Sequence, residues 1–189
     1  MINVVRSELV RLRRPRLLIG WFGLMALFAL MINQVMFSMA GDPPAPTIGP
    51  GVSFPNFAEL AGPSGPVSGL GAAASMFGIV TLSFWAIAVA SDYSSGLIRL
   101  LVSSQPHRWK LLAGKVIALT IITAIATTIA MIFTVASALP TATAAGVPTD
   151  QWGTDVVSVL AGAWVNAFAA MLVWGVIGLV LAVVTRSSA

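Results

Sequence analysis

Few residues in this 189-residue chain have side chains suited to chemistry, and they do not assemble into a recognisable reaction centre. His107 is the single histidine and stands beside Arg108 in a basic stretch. A metal centre needs three or four ligands, so His107 reads as a solvated loop residue. Cysteine is absent, which removes thiolate metal sites and disulfides together. No Ser–His–Asp set and no pair of carboxylates within an apolar stretch is present. Gly114-Lys115 is followed by Val116, and no glycine stands five positions before Gly114, so it is not a phosphate-binding loop. The polar amides in or near apolar stretches are Asn33, Gln34 and Asn166; the deepest, Asn166, suits either an interhelical hydrogen bond or a substrate contact. The chain is therefore not expected to be an enzyme, and no catalytic, metal-binding or cofactor-binding residue is assigned.

What such residues would be mounted on is set by composition. The chain is 58% apolar and 8% charged, with a mean hydropathy of +0.95, whereas a soluble domain carries about 25% charged residues. A soluble globule this poor in charge would expose large apolar patches and aggregate. The net charge of +4 comes from basic residues scattered through apolar sequence rather than gathered in a phosphate-binding stripe, so nucleic acid is not an expected partner.

Four stretches are long enough to cross a bilayer as helices: 17–39, 70–90, 116–139 and 156–185, none containing Asp, Glu, Lys, Arg or His. The first is too long for the apolar core of a cleaved signal peptide. The fourth, longer than the hydrocarbon core, must tilt, kink or begin at the interface, with Gly162, Gly175 and Gly178 as places for close contact or bending. The third is rich in small and hydroxylated residues, including Thr123, Thr127, Thr134 and Ser137, which suit close helix packing or a polar path. All ten basic residues precede the first span (Arg6, Arg11, Arg13, Arg14, Arg16), separate the second and third (Arg99, Arg108, Lys110, Lys115), or follow the fourth (Arg186). The other two connections carry only Asp42, Glu59, Asp150 and Asp155. This asymmetry predicts that both termini and the middle loop are cytoplasmic.

Segment 40–69 holds seven of the eleven prolines and six glycines and reads as an external loop, with Phe54, Phe57 and Leu60 resting on the membrane surface. Segment 140–155 is a second external loop, with Trp152 at headgroup level. In segment 1–16, Ile2, Val5, Leu9 and Leu12 share one helical face and arginines the rest. That pattern describes an amphipathic helix on the inner leaflet or a bare topology signal. The expected fold is thus an all-α integral membrane protein, one transmembrane domain of four helices with both ends inside.

Segment 91–115 is longer than the turn two antiparallel spans require. Leu97, Ile98, Leu100, Leu101 and Val102 form an apolar helical face opposite Arg99, with Asp92 near the start of this short helix and Gln105-Pro106 ending it. Such a helix lies flat on lipid or offers its ridge to a partner's groove.

The run Ser91-Asp92-Tyr93-Ser94-Ser95-Gly96-Leu97-Ile98-Arg99-Leu100-Leu101, with Pro106, Arg108 and Gly114-Lys115, resembles the loop after the second span of type-2 ABC exporter permeases, of whose usual six spans this chain shows the first four. The resemblance implies a permease subunit of an ATP-driven exporter in a bacterial cell membrane, working as a homo- or heterodimer with a second permease copy. It implies a separate cytoplasmic ABC ATPase that holds the ATP and Mg, none being expected in this chain. The helix around Asp92, Tyr93, Gly96, Leu97, Arg99, Leu100 and Leu101 would be the coupling helix: Leu97, Leu100 and Leu101 making the contact, Gly96 giving room for close approach and Arg99 acting as a charged anchor. A non-transporting four-helix protein with an assembly, anchoring or immunity role is the other reading of the residues.

Overall fold

In the computed structural model, residues 2–13, 15–40, 55–94, 108–153 and 155–185 are described. They form seven α-helices and a single 3-10 turn, with no strand among them. Helix α1 is Ile2–Leu12, α2 Pro15–Ser38, α3 Phe57–Ala61, α4 Ser68–Ala72, α5 Ala74–Ser94, α6 Arg108–Ala145 and α7 Val156–Thr185; the 3-10 turn Gly65–Val67 leads into α4. Four of these, α2, α5, α6 and α7, are long and apolar enough to cross a membrane. Continuous apolarity favours helices because each backbone group then finds its partner within its own segment, where lipid offers none. The 38 residues of α6 extend about 57 Å at 1.5 Å per residue. They exceed the hydrocarbon core of about 30 Å, so this helix runs past the expected span 116–139 at both ends. The expected second span divides at Ala73 into α4 and α5.

The most extensive contacts join helices that are not consecutive in sequence. Helix α5 packs chiefly on α7, and α2 chiefly on α6. Both pairs are parallel. Gly78 faces Trp174, Leu82 faces Gly178, and the long Trp85 ring reaches Gly175; Asn33 of α2 reaches Thr134, Ser137 and Thr141 of α6. The α5–α7 contact depends on absent side chains. A Cβ on Gly178 would lie 2.3 Å from the Leu82 carbonyl oxygen, and one on Gly175 2.7 Å from the Trp85 ring. The two pairs run antiparallel to each other, as two contacts indicate: Trp85 Nε1 donates to Thr123 Oγ1 at 3.0 Å, and Thr127 Oγ1 lies 3.3 Å from Met171 Sδ. The start of α2, the end of α5, the start of α6 and the end of α7 therefore share one end of the bundle.

Three hydroxyls of α6 lie deep inside the bundle. Thr123, Thr127 and Thr134 are fully buried and donate at 2.9 Å to the carbonyls of Leu119, Thr123 and Ala130. Each thereby satisfies itself on its own helix, as small polar residues in spans do.

At the opposite end the two external connections lock together. Leu60, read from sequence as resting on the surface, is fully buried with Phe37, Ala142 and Val147. Trp152 Nε1 donates to the Leu60 carbonyl at 2.9 Å, and its ring meets Phe37 edge-on. The segment has a local cause: Asn56 and Glu59 form a reciprocal capping box that starts α3. Helix α6 ends in a left-handed glycine, Gly146 at φ 71°, with Val147 N–H closing on Ala142 at 3.0 Å as in a Schellman cap. Phe54 lies outside the described residues.

Candidate functional site

The charged side chains that the fold brings together lie at the basic end of the bundle. Helix α1 supplies Glu8 and Arg11, one helical turn apart; the end of α5 supplies Asp92; α6 supplies Lys115. They close a ring of alternating sign. Arg11 Nη1 sits 2.5 Å from Glu8 Oε1, and Arg11 Nη2 pairs with Asp92 Oδ1. Lys115 Nζ pairs with Asp92 Oδ2, lies 3.2 Å from Glu8 Oε2, and donates to the Ala88 carbonyl at 3.4 Å. Two positive and two negative charges cancel. Glu8 and Asp92 are 3% and 7% exposed, a degree of burial that carboxylates tolerate when they are paired.

Local sequence explains how α1 comes so close. Gly114 precedes Lys115, and a Cβ there would fall 2.5 Å from Val4 Cγ1. The missing side chain seats Val4, and Leu12 is buried in the core of the bundle one turn beyond Glu8. Helix α1 is thus packed against α6, while Arg6, Ser7, Val10 and Arg13 stay exposed. Beside the ring, Leu12, Leu17, Ile87 and Ala88 border a cleft of about 30 Å³, a size suited to ordered water rather than to a substrate. The arrangement can clamp three helices and hold water. Among the described residues no group of His, Cys, Asp or Glu could hold a metal ion.

The sequence-derived site residues fall differently. Asp92 is not at the start of a separate short helix: α5 continues to Ser94, so Asp92 sits in its last turns and bonds back to α1 and α6. The apolar run of α5 continues into Ser91-Asp92-Tyr93-Ser94 without a helix breaker, which is why the helix does not stop at residue 90. Tyr93 belongs to the same helix. Gly96, Leu97, Arg99, Leu100 and Leu101 lie outside the described residues, as does His107. Sequence reasoning missed Arg11 and Lys115 as partners of Asp92, and Glu8 as the second acid they hold. The available signal was that Glu8 is the sole acid among the first sixteen residues, five of which are arginine.

Fold and site together define a multi-pass, all-helical membrane protein with a buried ion-paired ring at one end. The chain belongs to the family described as protein of unknown function DUF2705, whose model matches residues 26–189. No curated protein and no solved structure matches the chain. This corrects the resemblance to type-2 ABC exporter permeases, because the matching family is not a permease family. Three residues that suggested the resemblance have a local explanation: Asp92 and Lys115 close the ring, and Gly114 admits Val4.

Proposed function

We propose that the protein is a membrane-embedded subunit that engages a soluble cytoplasmic partner through residues 93–110. In this reading the ring and both chain ends lie on the cytoplasmic side of a cell membrane, an orientation supported by the distribution of basic residues. The ring is the observation that supports this reading. Helices α5 and α6 flank residues 95–107 in the chain, and Asp92 and Lys115 fasten the two helices to each other and to α1. A load applied by a partner between them would reach α5 and α6 as a unit, and through them α7 and α2. Movement of a substrate across the bilayer, driven by a separate ATP-hydrolysing partner, is the activity to test; it is carried by that linkage and not by family membership. Catalysis, ATP and Mg would then belong to the partner.

Extraction of the full chain in mild detergent tests this reading. The unaltered chain is expected to bring down a soluble ATPase that the Leu100→Glu, Leu101→Glu double variant loses. Retention of the same ATPase by both chains, or its absence from both, overturns the proposal. The self-satisfied threonines of α6 favour a second reading, a non-transporting role in assembly, anchoring or immunity, because their hydroxyls bond to their own helix. Absence of the ATPase from both chains would support that reading.

A further inference from the structure

The two helix pairs are joined in different ways at their two ends. Helix α6 carries α1 and α2, and α7 carries α5. Within the second group, Gly175 and Gly178 bring the helices so close that they have little room to slide. Helix α4 sits with the first group although it leads into α5. It packs chiefly on α2, where a Cβ on Gly69 would fall 2.6 Å from Asn33 Oδ1, and the Asn33 amide donates to Ser137 of α6 at 2.9 Å. The switch from one group to the other falls at Ala73, between α4 and α5, whose ψ of −8° departs from the helical value of about −42°. Around it, Gly69-Leu70-Gly71-Ala72-Ala73-Ala74-Ser75 holds Leu70 as its one large side chain, a composition that lets φ and ψ change without displacing bulky groups.

At the far end of α5 the tie is one side chain. Arg11–Glu8 and Lys115–Glu8 stay within the group of α1 and α6, while Arg11–Asp92 and Lys115–Asp92 cross to α5. Among the described residues, every ion pair between the two groups therefore ends on Asp92, with the longer bond from Lys115 to the Ala88 carbonyl one turn away. The cleft beside the ring lies on the same boundary, with Leu12 and Leu17 on one side and Ile87, Ala88 and Ser91 on the other. Between the two ends the groups meet through Trp85 on Thr123 and through the stacked rings of Trp21 and Phe84. Asp92 lies about 28 Å along the helix from Ala73, so a rotation of about 10° there moves it by about 5 Å, enough to part both ion pairs. We infer that the bundle is a jaw, with Ala73 as its hinge and Asp92 as its clasp. When the clasp is released, α5 and α7 swing together away from α1, α2 and α6, and the cleft opens. The inference stands apart from the cytoplasmic partner proposed above.

The chain has no cysteine, so pairs of introduced cysteines can carry spin labels whose separation is read in single copies held in lipid nanodiscs. Trp109→Cys with Val184→Cys spans the two groups at the ring end, and Leu139→Cys with Val157→Cys spans them at the hinge end. Ile19→Cys with Trp109→Cys stays within one group; all five sites are exposed. Asp92→Asn is expected to lengthen the first distance by about 5 Å and to leave the other two unchanged, while Asp92→Glu keeps all three. Glu8→Gln removes a carboxylate of similar burial that ties only α1 to α6, and should change none of them. Arg11→Met strips one of the two crossing pairs at a part-exposed site, a milder change for folding, and should at least double the share of long distances at the ring end. An unchanged first distance in both Asp92→Asn and Arg11→Met overturns the clasp, as does equal opening with Glu8→Gln. Lengthening at the hinge end, or within one group, overturns the hinge.

Discussion

At the scale of single residues, the ring sets the sharpest expectations. Glu8 and Lys115 have side chains 4% and 12% exposed. Removing one partner of a buried pair strands the other, at a cost of about 3–5 kcal/mol. Lys115→Met is therefore expected to lower stability by about 3 kcal/mol, read as a fall in the detergent melting temperature. Adding Glu8→Gln should recover part of the loss, since neighbouring members of one network are not additive. Arg11, 28% exposed, is more screened, and Arg11→Met is expected to cost about 1 kcal/mol or less. Trp152→Phe removes the donor to the Leu60 carbonyl and should loosen the opposite end by about 1–2 kcal/mol, seen as faster proteolysis after residue 40. Little of the ring was legible in the sequence. Arg11 and Asp92 are 81 positions apart, and a charge beside an apolar span looks the same whether it meets solvent or a partner.

Among the elements, the glycines divide by what faces them. Gly178 approaches the Leu82 backbone, which cannot yield, while Gly23 has open space around it. Gly178→Ala is expected to destabilise the bundle by about 2 kcal/mol or more through overpacking. Gly23→Ala should be neutral or slightly stabilising, because alanine favours a helix over glycine by about 1 kcal/mol. Parallel melting curves in one detergent check both. Gly114→Ala should push α1 off α6, and the added Val4→Ala should restore it, since the clash is with the far end of one side chain. Protease sensitivity of residues 1–13 reads this displacement. The four long helices were legible because unbroken apolarity admits no other solution in lipid. Their pairing was not: nothing in the order of spans indicates that the second packs on the fourth, a choice made by Gly178, Gly175 and Gly78 meeting Leu82, Trp85 and Trp174.

For the molecule as a whole, sidedness is the claim that orders the rest, and the chain's lack of cysteine makes it measurable. Gly153→Cys is expected to react with a membrane-impermeant maleimide on intact cells. Trp109→Cys, at a site 82% exposed, should react only after lysis, and the reverse pattern would invert the orientation. The charge asymmetry that predicts this was readable from the positions of the basic residues along the chain, whereas the partner on either face was not, because contact chemistry depends on which side chains share a surface. Parallel pairing of α5 with α7 also dictates an order of birth. When α5 leaves the ribosome the helix that fills its glycine and tryptophan grooves has yet to be synthesised, so the nascent chain waits half-built in the bilayer until α7 arrives. Any translational stall before that moment hands the cell's quality-control proteases an unfinished bundle.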